Sequence, residues 1–253
     1  MKTILKEYKV KPVNPIIIEG LPGLGSVGKI VASYLVSQLK AKKIAELYSP
    51  HFPHYALVDE NGVARLPKST FYYYANKKRK LEIVIITGDC QPQTNIGQYE
   101  VAEKIVEYAK KYSSKLLISI GGYSSSRKEM PKVYGAATTT KLINQLVKIG
   151  VVVNKDGIPI VGVAGILLPL AKAKGLNAIC LLGETLGYIP DPKAAKSVLE
   201  VLTQFLNLKV DLKELEKEIK EMGRLEEKIL KTTQSFEETF EEKKITEKFS
   251  YIS

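Results

Sequence analysis

Apolar runs that break into glycine-rich turns alternate along this chain with helical patterns. The run at residues 16–18 enters a turn with four glycines, and a helical pattern follows over residues 26–39. Four further runs have the length and composition of buried strands: 81–87, 116–120, 158–163 and 178–182. Helical patterns at 97–112 and 138–149 lie between them. This alternation predicts an α/β fold, a central sheet flanked by helices, whose functional edge lies at the carboxyl ends of the strands.

The densest basic patch, residues 77–80, separates strand-like residues 70–75 from the apolar run at 81–87. A short polar segment between two strands is typical of a hairpin turn. We therefore interpret this patch first as a solvated turn.

The glycine loop, residues 20–29, is compatible with two interpretations. Gly23, Gly25 and Gly28 fit the G-x-G-x-x-G spacing between a strand and a helix, the context that a dinucleotide-binding fingerprint requires. Glu46 follows near the distance at which an acidic residue binds a ribose. Glycines at such a turn, Gly20 among them, also permit positive φ angles and close helix packing. We favour the structural role and keep a nucleotide-binding enzyme or regulator as the alternative.

The same loop nearly matches the phosphate-binding loop of nucleoside triphosphatases, from Gly23 to Lys29. The match fails at Ile30, where serine or threonine would hold magnesium. Because an aliphatic side chain cannot coordinate a hard cation, this chemistry is disfavoured.

Candidate catalytic groups are few. Asp89 and Glu184 follow predicted strands and could serve acid–base chemistry, although single carboxylates at strand ends more often cap helices or bind loop amides. The two histidines, His51 and His54, flank a proline and are predicted to lie in an ordinary loop. The sequence has no G-x-S-x-G or H-E-x-x-H motif. It therefore predicts a protein that is not an enzyme, with no metal and no cofactor.

Composition and charge restrict the class of protein. The chain has 253 residues, 45% of them hydrophobic, which is enough for a large core. Cys90 and Cys180 sit at or near the ends of apolar runs, as free buried thiols do. No apolar run of membrane-spanning length and no signal-peptide core is present, so we expect a soluble, cytoplasmic protein without a membrane partner.

The net charge of +11 is distributed unevenly. Residues 209–248 contain 10 basic and 12 acidic residues, so the rest of the chain, its body, carries +13. A basic body is compatible with nucleic acid, an acidic protein partner or solvent alone. No nucleic-acid-binding motif accompanies the charge, so nucleic acid is the least favoured of the three.

Residues 210–232 form a predicted amphipathic helix. Asp211 and Glu214 resemble a capping box at its start. Apolar residues then recur at spacings of three and four: Leu212, Leu215, Ile219, Met222, Leu225 and Ile229. This stripe must pack on the body or on another copy of the chain. Residues 233–253 are polar and are predicted to be a weaker helix that ends in a flexible tail.

Several segments in order resemble the archaeal branch of the proteasome-assembly-chaperone family. The resemblance covers about residues 10–215, and its specificity comes from five motifs in series: 20–28, 46–53, 88–92, 121–123 and 182–185. It implies an α/β sandwich of the nucleoside-phosphorylase type without the active site, here residues 1–209. It also implies a homo-oligomeric chaperone or activator that meets the α-ring of the proteasome core particle.

The resemblance gives the C-terminal tail a role. Activators of this ring commonly insert a C-terminal hydrophobic-Tyr-X tripeptide between α-subunits, where a lysine pairs with the terminal carboxylate. This chain ends in Phe249, Ser250, Tyr251, Ile252 and Ser253, so tyrosine is third from the end. Phe249, Tyr251, Ile252 and Ser253 are therefore the expected partner-binding residues, in a variant of the motif. A frayed terminus with a chance aromatic residue is the alternative.

Overall fold

The chain folds around one large mixed sheet. The structure, a computed structural model, describes residues 2–125, 130–153, 157 and 159–224. Its strands and helices are β1 (Ile4–Glu7), β2 (Ile16–Glu19), α1 (Val27–Gln38), β3 (Lys42–Tyr48), β4 (Leu57–Val58), β5 (Ala64–Arg65), β6 (Ser69–Asn76), β7 (Leu81–Gly88), α2 (Asn95–Lys111), β8 (Leu116–Ser124), β9 (Val133–Ala137), α3 (Thr140–Lys148), β10 (Val152–Val153), α4 (Val163–Ala173), β11 (Ala178–Thr185) and α5 (Pro192–Leu206). A large central sheet flanked by helices confirms the predicted α/β class.

The strands of the main sheet run in the order β1-β3-β6-β7-β2-β8-β11-β9-β10. The four central strands β7, β2, β8 and β11 are parallel, while β1, β3, β6 and β7 pair antiparallel. Because the central strands are parallel, their carboxyl ends meet at one edge of the sheet, the carboxyl edge. The loops that follow these strands therefore lie together at the carboxyl edge, where the sequence places any functional site.

Helices cover the central strands on both faces. Helices α2 and α4 pack together over a buried cluster that includes Ile17, Val84 and Leu117. Helices α1 and α5 pack together on the opposite face, where the alternate residues Ile18 and Ile85 are fully buried. Burial on both faces explains why these strands appear in the sequence as continuous apolar runs.

Local signals in the sequence begin the helices. Thr94 caps α2 by accepting a hydrogen bond from the amide of Gly97, and Thr139 caps α3 in the same way through Leu142. The hairpin predicted around residues 77–80 is also present. There, the Asn76 side chain accepts from the Arg79 amide at 3.2 Å, and Lys80 adopts a φ of 48°.

One predicted strand is wrong. The run at 158–163 was expected to be a buried strand, but its described residues up to Gly162 form a loop, and Val163 begins α4. Gly162 has a φ of 88°, which ends any extended conformation and directs the chain into the helix. Val161 is 85% exposed, so this apolar residue is not part of the core.

The chain divides into two compact units, Met1–Asp211 and Leu212–Ser253. In the second unit residues 213–224 are helical, and residues 225–253 lie outside the described part of the chain. In the first unit both cysteines are free and buried. Among the described helices, none combines the length and the apolar character needed to cross a membrane.

The carboxyl edge as candidate functional site

The glycine loop needs glycine at Gly25 for steric reasons. Residues 24–26 form a 3-10 turn in which Gly25 and Ser26 both have positive φ angles, 57° and 48°. A Cβ on Gly25 would also lie 2.5 Å from Oγ1 of Thr185. The fold therefore accounts for this glycine without a ligand.

Gly20 and Gly28 allow α1 to approach the sheet closely. A Cβ on Gly20 would overlap the carbonyl oxygen of Gly28, and one on Gly28 would overlap that of Ile120. Gly23 is less crowded, since its Cβ would lie 3.2 Å from Nε2 of Gln91. Three of the four glycines thus serve backbone geometry and packing.

Three consecutive amides at the start of α1, those of Gly25, Ser26 and Val27, have hydrogen-bond partners in the chain. The Gly25 amide donates to the carbonyl of Gly187 at 3.3 Å, and the Ser26 amide donates to that of Gly23 at 2.9 Å. The Val27 amide donates to the carbonyl of Leu24. A phosphate-binding loop needs such amides free to point at the phosphate. The geometry therefore gives no support to the nucleotide alternative.

Glu46 lies too far away to assist this loop. Strand β3, which carries it, is separated from β2 by two strands, or about 14 Å at the usual spacing. Its carboxylate binds Nζ of Lys68 at 2.6 Å, Nζ of Lys43 at 3.0 Å and the hydroxyl of Tyr8 at 2.5 Å. Burial opposes ionisation, but these donors outweigh it and lower the pKa of Glu46 to about 2. Glu46 is a structural ion-pair residue.

The two carboxylates at the carboxyl edge also hold loops together. Asp89 accepts two hydrogen bonds from the Arg65 guanidinium, at 2.6 and 2.9 Å, and one from the amide of Lys68. Burial would raise the pKa of Asp89, but the Arg65 and Lys68 bonds keep it below its ordinary value. Glu184 accepts from the amide of Lys132 at 3.0 Å. Both therefore have the structural role that single carboxylates at strand ends usually have.

The histidines are not brought together into a metal centre. The Nδ1 of His51 lies 2.8 Å from Oγ1 of Thr94 at the start of α2, and His54 follows in the same loop. In the described ranges no group of three or more histidine, cysteine or acidic residues is placed to hold a metal ion.

A cleft of about 660 Å³ opens at the carboxyl edge, between the glycine loop, the end of β8 and the start of α4. Leu24, Tyr123, Ile160 and Val161 are among its walls, and none of the described residues that line it is charged. The cleft thus suits an apolar, uncharged group and offers no carboxylate, imidazole or amine for acid–base catalysis.

Gln91 holds the cleft open by joining two of its walls. Its Nε2 donates to the carbonyl of Pro22 at 2.6 Å, and its Oε1 accepts from the amide of Val163 at 3.3 Å. The sequence did not reveal this bridge, because the partner segment, residues 158–163, was predicted to be a strand.

Exposed apolar side chains border the cleft. Leu24 is 48% exposed, and the site of a Cβ on Gly187 lies 3.0 Å from its Cδ2. Gly187 is flanked by exposed Leu186 and Tyr188, and Tyr188 is 93% exposed. The sequence places residues 183–188 at a strand end where they could line a pocket, but it does not single out Tyr188 as an exposed apolar side chain. The expected tail residues Phe249, Tyr251, Ile252 and Ser253 lie outside the described residues.

Comparisons with known proteins agree with this picture. Residues 17–230 match the PAC2 family. The protein MJ1210 of Methanocaldococcus jannaschii is 38% identical over 234 residues, covering 91% of this chain and 90% of its own length. Pyrococcus furiosus PbaB, an archaeal proteasome activator, is 40% identical, with a TM-score of 0.85 over 90% of this chain and 98% of its own. PbaA of the same organism, an archaeal homolog of proteasome-assembly chaperone, is 31% identical, with a TM-score of 0.74 over 94% and 98% of the two chains. The chain therefore belongs to the PAC2 family, which confirms the resemblance to proteasome-assembly chaperones found in its sequence.

Proposed function

We propose that this protein is a non-enzymatic, proteasome-associated chaperone or activator. In this proposal it acts in the cytoplasm as a homo-oligomer and docks its C-terminal tails on the α-ring of the core particle. The observation that carries the proposal is the similarity to PbaB, an archaeal proteasome activator, along almost the whole of both chains.

The chemistry of the carboxyl edge supports a role without catalysis. The carboxylates of Glu46, Asp89 and Glu184 hold structural hydrogen bonds, and the described walls of the cleft carry no carboxylate, imidazole or amine. The amides of Gly25, Ser26 and Val27 in the glycine loop bond within the chain. These observations favour protein binding over turnover.

The proposal assigns a role to each part of the chain. Residues 1–209 would form the oligomerising α/β body, a sandwich of the nucleoside-phosphorylase type. The amphipathic helix at 210–232 would be the spacer that delivers the tail, residues 233–253. No nucleic acid or membrane takes part.

Docking of the tail rests on simple energetics. A free carboxylate at Ser253 would form charge-assisted hydrogen bonds, while Phe249, Tyr251 and Ile252 would bury apolar surface. A single short peptide of this kind binds with about millimolar strength, near −4 kcal/mol. When several tails belong to one oligomer, the later tails bind at high effective concentration, and avidity rises by about 10² or more. Oligomerisation is therefore part of the mechanism.

The test is binding of an archaeal proteasome core particle to the intact chain and to a version that ends at Lys248. We expect the truncation to lose at least about tenfold in affinity, because it removes the carboxylate and the aromatic anchors together. Tyr251→Ala should reproduce most of the loss, whereas Ser250→Ala is the matched control in the same segment.

Sedimentation must show that the truncated chain forms the same oligomer as the intact chain. A loss of binding can then be attributed to the missing tail. Equal binding by the intact and truncated chains would refute the tail mechanism. Failure of both forms to bind would refute association with the core particle itself.

A further inference from the structure

The carboxyl edge presents an apolar face without charged residues. We define the carboxyl-edge face by five exposed side chains around the cleft: Leu24, Val161, Leu186, Tyr188 and Ile189. They form one surface, because Leu24 and Val161 both line the cleft and Leu24 also lies against Gly187 in the 186–189 loop. Residues 20–28, 120–124, 159–166 and 185–190 contain no acidic or basic residue, although 26% of the chain is charged.

Such a surface has the composition of a protein interface. Interface cores are depleted in charge and enriched in aromatic residues, and monomeric proteins rarely expose contiguous large apolar patches. Val161 is 85% exposed and Tyr188 is 93% exposed, so neither side chain buries much of its apolar surface within its own chain. Their burial would occur on binding another molecule.

Lysines predominate at the opposite edge of the sheet. Lys77, Lys80 and Lys115 line one surface depression at the amino ends of the central strands, together with a single acidic residue, Glu82. Lys110, Lys111 and Lys174 line another, next to the end of α2, with Glu107 as its acidic residue. Two copies of a body with a net charge of +13 would repel each other through surfaces of this kind. The uncharged face is where a second copy can approach without that penalty.

The face also carries both halves of a knob-and-hole contact. Tyr188 projects into solvent, and Leu24, which lies against the neighbouring Gly187, also lines the cleft of about 660 Å³, whose walls are uncharged and mostly apolar. A tyrosine that enters an apolar pocket is a typical centre of an interface, because it buries a large ring and leaves its hydroxyl at the rim. A surface with knob and hole side by side is suited to a two-fold contact with itself.

We propose that the carboxyl-edge face binds a second copy of this chain, with Tyr188 of each copy entering the cleft of the other. This inference deepens the proposed function, since it names the surface through which the body self-associates. The pairing needs neither the tail nor a core particle.

The test is sedimentation equilibrium of the full chain and of the double variant Val161→Asp/Tyr188→Asp. Both side chains are nearly free of contacts in their own chain, so the variant should keep its fold. The matched control is Val10→Asp/Val13→Asp, two residues that are 43% and 65% exposed and precede β2, at the amino ends of the central strands. Circular dichroism checks the fold of each protein.

We expect the double variant to lose self-association by at least about tenfold, and to approach the monomer mass of 28.1 kDa if no other contact remains. The control should match the unchanged chain. An oligomer that survives the double variant intact would overturn the proposal, as would an unchanged chain that is monomeric.

Binding to the core particle separates this inference from the proposed function. If the double variant stays oligomeric while truncation at Lys248 abolishes ring binding, the face proposal fails and tail docking stands. If the double variant stays oligomeric but loses ring binding, the face contacts the proteasome instead, which also overturns the proposal.

Discussion

A buried carboxyl group is the least expected single residue in this sheet. Glu19 ends β2 and is 1% exposed; its Oε1 accepts from the amide of Leu21 at 3.0 Å, while Oε2 has no hydrogen-bond partner. Burial raises the pKa of Glu19 to about 8, and the Leu21 bond only partly opposes it. At neutral pH the carboxyl group is therefore protonated, as an apolar environment requires.

Glu19 should make stability depend on pH. Between about pH 4.5, its ordinary pKa, and about pH 8, the folded state keeps a proton that the unfolded state has released. Stability should therefore fall as pH rises through this range, by about 1.4 kcal/mol per pH unit at most. The free energy of unfolding, measured by guanidinium denaturation, should not show this fall with pH in Glu19→Gln. Glu60→Gln, an exposed control, should still show it. If the free energy of unfolding has the same slope against pH in both variants, Glu19 is not the source of the pH dependence.

The glycines show what could be predicted at this scale. Their placement between a strand and a helix identified the loop, and its steric role was the favoured interpretation. Glu19 could not have been singled out as buried, because a glutamate at the end of an apolar run is equally compatible with an exposed position. Only the neighbouring strands β7 and β8 decide that it is enclosed.

At the level of elements, close packing of α1 on the sheet fixes the carboxyl edge. Gly28 lies in the first turn of α1, where a Cβ would meet the carbonyl oxygens of Ile120 in β8 and of Leu21, just after β2. The amide of Asp191 donates to the carbonyl of Gly25 at 2.8 Å, and its side chain caps α5 through the Ala194 amide at 2.9 Å. The loop, α1 and α5 are thus joined at one point.

Gly28→Ala should loosen this junction. The added methyl group would overlap the carbonyl oxygen of Ile120, so we expect a loss of about 1–3 kcal/mol in the free energy of unfolding. Ser33→Ala, at an exposed position of the same helix, should be neutral or slightly stabilising. Both are measured by guanidinium denaturation. If Gly28→Ala is as stable as the unchanged chain, the close approach does not constrain the fold.

Most elements with periodic patterns could be predicted, and the errors have physical causes. The segment before α4 has the apolar content of a strand, but Gly162 turns it outward and leaves Val161 in solvent. Helix α5 was not predicted, although Asp191 followed by Pro192 is a usable helix start. The order of strands depends on long-range pairing, which local patterns do not encode.

The first unit, Met1–Asp211, differs in chemistry between the two ends of its central strands. Lysines outnumber acidic residues in the depressions near the amino ends, whereas the described residues that line the cleft at the carboxyl ends are uncharged. Sequence analysis located the excess charge in the body but not at one end of it, because the lysines come from separate turns. These lysines come together at the amino ends of the strands only because the strands are parallel.

These two ends predict salt effects of opposite sign. Raising salt from about 0.05 to about 0.5 M screens repulsion between cationic copies, so self-association through the uncharged face should tighten, by roughly threefold. Tail docking uses a charge-assisted contact and should weaken over the same range. Sedimentation measures the first effect, and core-particle binding by the stable oligomer measures the second. Self-association that weakens with salt would contradict an uncharged interface.

The two borders of the main sheet set a limit on how such a protein can aggregate. One border is β1, four residues long and ending in Lys6 and Glu7, and the other is β10, which has two residues. Short or charged borders give a neighbouring sheet few backbone groups to pair with, so they resist the strand-to-strand addition that builds fibrils. A chain that exposes an apolar face at one end can therefore form oligomers of defined size, and not fibrils, at high concentration.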